Sequence, residues 1–113
     1  MASDCLFCRI VRKEIPAKIV AEDEHCVAFS DINPQAPVHV LVIPRQHVAS
    51  LNEVTDGAVV GRMHVLAAKI ARDEGLAERG YRTVINTNAE AGQTVFHIHL
   101  HVLGGRPMKW PPG

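Results

Sequence analysis

Residues 94 to 103 read Thr94-Val95-Phe96-His97-Ile98-His99-Leu100-His101-Val102-Leu103. Regular alternation of imidazole and apolar side chains is the period of a β-strand, in which successive side chains point to opposite faces. Read as one strand from Thr94 to Leu103, the segment sets His97, His99 and His101 in a row with about 6 to 7 Å between neighbours. Phe96, Ile98, Leu100 and Val102 then form the opposite face. That apolar face accounts for burial of the strand, so the imidazole row needs its own explanation. Each ring brings two nitrogens that require partners. A lone core histidine is usually structural, whereas three in register point to function.

Working outward, Leu6, Ile10 and Val11 have the spacing of one or two helical turns over residues 5 to 14, stopped before Pro16. Lys18 to Ala21 and Cys26 to Phe29 read as a hairpin around Glu22-Asp23-Glu24-His25. Asp31-Ile32-Asn33-Pro34-Gln35-Ala36-Pro37, with two prolines and no period, is a rigid loop of the kind that presents ligands. Val38 to Ile43 alternates, with His39, Leu41 and Ile43 on one face and the three valines on the other. Ser50-Leu51-Asn52-Glu53 matches a capping box, so a long helix is expected to start there. It carries Val59, Val60, Met63, Leu66, Ala67 and Ile70 on one side and ends at Gly75. Arg82 to Asn86 is a further strand, and Asn88 to Gly92 is the turn leading to the histidine run. The order gives an α+β domain spanning 1–113: an antiparallel sheet of about five strands, one long helix and a short N-terminal helix.

The composition narrows the function. Lys plus Arg and Asp plus Glu are 12 each, so no global positive field attracts a nucleic acid polymer, and any nucleotide bound is expected to be a small one. No stretch approaches the roughly 18 apolar residues of a membrane span, and the opening MASDCLFCRI lacks a signal-peptide pattern. Three cysteines argue against a disulfide framework and fit a reducing, cytoplasmic setting. Cys5-Leu6-Phe7-Cys8 has the spacing that bites one zinc, but no second half-site follows nearby. A redox pair and two inert thiols are the other readings, and Cys26 reads as a small buried residue. The tail Met108-Lys109-Trp110-Pro111-Pro112-Gly113 is excluded from regular structure by its prolines, and its one tryptophan is expected to dock.

Two chemistries suit the histidine row. The rings could share a catalytic metal with an open position for water. Alternatively, a neutral imidazole could attack phosphorus while its neighbours orient it and bind phosphoryl oxygens. Gly92-Gln93-Thr94 upstream offers close backbone approach, an amide and a hydroxyl, all suited to a phosphate, and Gly104-Gly105-Arg106 downstream adds flexibility and a cation. These surroundings favour the nucleophile.

The run His97 to Leu103 resembles the motif of the histidine-triad (HIT) superfamily. Ala91-Gly92-Gln93-Thr94-Val95-Phe96, the Asp31–Pro37 loop and the ending from Gly104 to Gly113 are similar to its Hint branch, so the resemblance covers nearly the whole chain. It implies a HIT-like fold, a homodimer with a sheet continued across it, and purine nucleoside phosphoramidase activity on AMP or GMP joined to an amine. By the resemblance, His99 is the nucleophile that becomes nucleotidylated, His101 contacts the phosphate, and His39 is the partner histidine behind the nucleophile. Thr94 stands where many Hint proteins have serine, and Asp31 binds the ribose hydroxyls. Leu6, Phe7, Ile10, Phe29, Ile32 and Leu41 form the base pocket; Asn86, Gly92 and Gln93 lie on the phosphate side. No cofactor is required for catalysis, but some members pair such a CxxC with two histidines, here His47 and His97, around a structural zinc. Loss of that zinc would lower stability and spare turnover. The tail from residue 104 to 113, with Trp110, would contribute to the dimer and the partner's active site. Rival readings are a purine-nucleotide sensor or partner module with incidental catalysis, and a metal hydrolase using the triad as ligands.

Overall fold

The computed structural model describes residues 4–113, so the first three residues of the expected 1–113 domain lie outside it. Helix α1 (Leu6–Val11) and helix α2 (Gly57–Asp73) accompany strands β1 (Ile19–Glu22), β2 (Cys26–Ser30), β3 (Val38–Pro44), β4 (Tyr81–Val84) and β5 (Leu100–Gly104). The strands make one antiparallel sheet in the order β1-β2-β3-β5-β4. Short connections join β1 to β2 and β2 to β3, which favours antiparallel neighbours. The excursion through α2 lets β4 land one strand away from β3, leaving the slot between them for β5.

Each face of the sheet has its own apolar cluster. Val40 and Val42 of β3, Leu100 and Val102 of β5, and Cys26 and Ala28 of β2 pack against Met63, Leu66, Ala67 and Ile70 of α2. Complete burial of side chains the size of Met63, Leu66 and Ile70 contributes about 1.5 to 3 kcal/mol each, so this stripe dominates the docking of α2. Val27, Phe29, Leu41 and Ile43 alternate onto the other face and meet Phe7 and Ile10 of α1. The β3 alternation expected from sequence therefore holds. Gly104 closes β5 where an added Cβ would lie 2.6 Å from Leu76 Cδ1, so any side chain there would force Leu76 to shift.

Two expectations need correction. Ser50 does not begin the long helix: its hydroxyl accepts from the Asn52 amide and caps a short 3-10 turn, Leu51–Glu53, while Asp56 caps α2 by accepting from the Ala58 amide. A capping box fixes one turn of backbone, and Val54-Thr55 then returns to non-helical backbone before Asp56 supplies a second cap. The histidine strand is also shorter than its alternation suggests, since only Leu100–Gly104 is β-structure and residues 94–99 are irregular. Ile98, Leu100 and Val102 are fully buried as expected, but Phe96 is 51% exposed. Beyond Leu100 the ladder runs out of partners: β3 pairs as far as Val42↔Leu100, β4 only to Val84↔His101. Without a neighbouring strand the alternating sequence has no hydrogen-bonding reason to stay extended.

Candidate active site

A cavity of about 610 Å³ opens on the α1 side of the sheet. Leu6, Phe7 and Ile10 of α1, Phe29 and Leu41 from the sheet, and Ile32 in the loop give it an apolar end. Phe7, Ile10, Phe29 and Leu41 belong to the second core cluster as well, so they serve packing and lining together. Ile32 is fully solvent-exposed apart from that role. Asp31, Asn86, Gly92, Thr94, His99 and His101 form the polar end. Size and lining suit a small amphipathic ligand with one apolar part and one strongly polar part.

The irregular backbone before β5 sets the imidazoles. His99 is buried, and its Nδ1 lies 2.8 Å from the carbonyl oxygen of His97. A carbonyl can only accept, so Nδ1 carries the proton and Nε2 keeps a free lone pair. The Phe7 ring stands edge-on to His99 at a centroid distance of 5.1 Å and restricts its rotation.

His101 is held in the opposite sense. The Gln35 amide donates to Nδ1 of His39 at 3.0 Å, which leaves the proton of neutral His39 on Nε2. That Nε2 lies 2.9 Å from His101 Nδ1 and 3.4 Å from Asp31 Oδ2. His101 therefore accepts at Nδ1 and carries its own proton on Nε2. Burial pushes the His101 ring down to about 4, with His99 and His39 acting in the same direction and Asp31 against them. Burial also lowers His39, opposed by Asp31. Both rings are neutral near pH 7, and the directional chain is a hydrogen-bond relay. Asp31, His39 and His101 lie close enough to suggest a metal site, but the Gln35 amide on Nδ1 places a proton on the nitrogen a metal would need. Asp31 itself is anchored by its other oxygen, which accepts from the Asn33 amide at 2.8 Å.

His97 leaves the expected row altogether. Its Nε2 donates to the Pro44 carbonyl at 2.8 Å, so its Nδ1 lone pair points among Cys5 Sγ at 3.4 Å, Cys8 Sγ at 3.5 Å and His47 Nδ1 at 3.3 Å. Burial drives this ring to about 4, with the Pro44 carbonyl opposing and His47 and His99 assisting. Burial and the neighbouring Cys5 raise the Cys8 thiol. Tetrahedral zinc with mixed sulfur and nitrogen ligands separates donor atoms by about 3.3 to 3.8 Å, so the four side chains fit that ion. The Pro44 carbonyl is the outer contact that orients a ligating imidazole.

Of the other expected residues, His39 lies against His101, with ring centroids 5.1 Å apart, rather than directly behind His99. Gln93 does not line the cavity. It is buried, its Oε1 accepts from the Asn88 amide, and its Nε2 donates to the Ala49 and Val95 carbonyls, so it holds the loop instead of a ligand. Trp110 is 82% exposed and does not line the cavity of its own chain. Sequence reasoning missed Ile15, Pro16, Ala17, Lys18, Ser30 and Val95 in the lining. In sequence the Ile15-Pro16-Ala17 run carries a helix-stop signal and nothing that points to a cavity wall.

With this geometry in view, residues 12–108 match the HIT domain family model. The chain belongs to the HIT domain family. It is 50% identical over 110 residues to the purine nucleoside phosphoramidase of Escherichia coli K12, covering 96% of this chain and 92% of that one. An uncharacterized HIT-like protein from Synechocystis is 54% identical over 115 residues, across the full length of both. Among solved structures, a HIT family hydrolase from Legionella pneumophila superposes with a TM-score of 0.95 at 53% identity, covering 97% of this HIT protein and 100% of that chain.

Proposed function

We propose that this HIT protein is a hydrolase that cleaves the P–N bond of purine nucleoside phosphoramidates, of the kind in which AMP or GMP is joined to an amine. The observation that carries the reading is the pair of opposite tautomers at the polar end of the cavity. One imidazole, His99, presents a lone pair, and its neighbour His101 presents an N–H. That is the division of labour a phosphorus centre needs, with a nucleophile on one side and a donor to its oxygens on the other. The likeness to a phosphoramidase supports the choice of substrate.

In this reading the purine lies in the apolar end against Phe7, Phe29 and Leu41, and Asp31 accepts from the ribose hydroxyls. Nε2 of His99 forms a bond to phosphorus as the P–N bond breaks, and the amine departs with a proton that the Thr94 hydroxyl passes on from solvent. The modified ring is cationic, and the His97 carbonyl on its Nδ1–H stabilises it. His101 Nε2–H bears the charge on the phosphoryl oxygens, and Gly92, whose own amide donates to the Ala89 carbonyl, lines the cavity beside them. Water then attacks phosphorus and gives its proton back through the Thr94 hydroxyl to solvent, the P–Nε2 bond breaks, and the nucleoside monophosphate leaves with His99 restored. Every step uses groups of the chain, so no cofactor is required for catalysis.

Cys5, Cys8, His47 and His97 would hold a zinc ion, which when bound supplies a structural crosslink between α1 and the segment before β5. The same reading includes a cytoplasmic homodimer. β4 is a sheet edge, and Val65, Tyr81 and Trp110 are exposed apolar side chains available to a second copy. Trp110 would then reach the partner's cavity.

The decisive experiment is to quench turnover of an adenosine phosphoramidate and to analyse by mass spectrometry the peptide containing His97, His99 and His101. An AMP adduct is expected in wild type and not in His99→Ala. No adduct in wild type, or one that persists without His99, overturns the mechanism.

A further inference from the structure

Arg106 has three donor contacts and no carboxylate within ion-pair distance among the described residues. Its Nε and Nη2 donate to the Gln35 carbonyl at 3.2 and 3.0 Å, and its Nη1 donates to the Pro107 carbonyl at 3.1 Å. This exposed guanidinium holds a loop residue 71 positions away in sequence. Its neighbour Gly105 seals the same contact. At φ +91° it adopts a backbone that only glycine takes easily, and a Cβ there would lie 2.8 Å from Pro37 Cβ. The turn after β5 therefore grips the Asp31–Pro37 loop at two places.

The gripped residue starts the relay. Gln35 is the residue whose amide fixes His39, and His39 in turn fixes His101. If Gln35 drifts, its N–H no longer opposes a proton on His39 Nδ1. His39 can then turn its lone pair toward His101, and His101 must protonate Nδ1 and lose the Nε2–H at the cavity. We propose that the Gly105–Arg106 turn is a positioning device for His101, acting through Gln35 and His39, with Arg106 as its principal residue. The consequence for catalysis rests on the reading of His101 as the donor to phosphoryl oxygens. The consequence for the rings does not.

The test separates the two. In protein labelled with nitrogen-15, long-range imidazole spectra at pH 7 should report His39 and His101 as Nε2–H and His99 as Nδ1–H. Arg106→Ala should mix the tautomers of His39 and His101 and leave His99 unchanged. With an AMP-amine substrate, kcat should fall about tenfold while KM moves by less than about twofold, the sign of a transition-state donor lost. Arg106→Lys keeps a donor over the Gln35 carbonyl and should restore most of both signals. Gln35→Pro, which deletes the amide proton itself, should reproduce the Arg106→Ala spectrum and serves if that variant is too unstable to study. Wild-type ring spectra in both Arg106→Ala and Gln35→Pro overturn the proposal, as does Arg106→Lys behaving like Arg106→Ala. A purely structural arginine would lower Tm with tautomers and kcat intact, which also overturns it. Wild type that fails to cleave any phosphoramidate would refute the phosphoramidase reading, and the spectra would still decide the clamp.

Discussion

Two groups of imidazoles, His47 with His97 and His39 with His101, are built from one residue type and bonded in opposite senses. In the first, the Pro44 carbonyl takes the outer proton of His97, and the inner nitrogens of both rings converge on two thiols. In the second, the Gln35 amide puts a donor on the outer nitrogen of His39, and donor follows acceptor from ring to ring. A backbone oxygen at the outer end turns the inner lone pair toward the thiols, while a backbone N–H at the outer end makes a relay. His99 lies between these uses. It takes its proton position from a carbonyl, as His97 does, but its free nitrogen meets the cavity instead of sulfur. What sets His97, His99 and His39 apart here is the single main-chain group behind each ring, and His101 takes its sense from His39.

The largest break in this comparison comes from removing the ring with the exposed lone pair. His99→Ala should lower turnover by about four orders of magnitude with AMP affinity nearly unchanged, because the missing bond to phosphorus exists only after binding. Steady-state rates alongside calorimetric titration with AMP provide the check. Turnover within tenfold of wild type would mean that another group attacks phosphorus.

The converging group should respond in the other currency, stability rather than rate. Protein purified under reducing conditions should carry up to one zinc per chain. Cys5→Ser/Cys8→Ser should lose that zinc and drop Tm by about 10 °C or more, with kcat retained within about threefold. Elemental analysis and thermal melts read the result. No metal in wild type would retire the cage, and a collapse of kcat at unchanged Tm would show that the two groups are not separable.

Much of this contrast could be read from the sequence, and the reason it could not be completed is specific. The apolar alternation of Val38 to Ile43 and the stripe from Val59 to Ile70 specify which faces are buried, because burial is a property of side-chain pattern. Cavity residues such as Phe7, Phe29 and Asp31 came from the resemblance, and they do line one cavity. The row of three histidines failed because period-2 alternation fixes a strand only where partners exist, and residues 94–99 have none. Tautomers were beyond reach for a related reason. They depend on the carbonyls of Pro44 and His97 and the amide of Gln35, and any residue type brings the same carbonyl to such a place. Gln93 misled because an amide side chain suits a phosphate and a loop carbonyl equally well.

The smallest predicted effect is the most direct probe of the relay, because it asks what a neutral ring costs in acid. His101 is neutral in the folded chain down to about 4, whereas the unfolded chain offers an ordinary imidazole near 6.5. Between those values the unfolded state binds a proton that the folded state refuses, so stability rises with pH across this window. The stability is fully present above about 6.5 and is lost as pH falls toward 4. His39 on β3 contributes in the same direction, His99 adds to the penalty on His101, and the Asp31 carboxylate partly offsets both. His101→Gln removes one such ring. Because His101 is only partly buried, its share is about 1 to 2 kcal/mol rather than the full value of the shift. Urea unfolding at pH 7.0 and 4.5 should therefore show His101→Gln losing about that much less stability than wild type over the same interval. Parallel losses in the two proteins would mean that His101 is protonated in the folded state, and the relay would then run with its donors reversed.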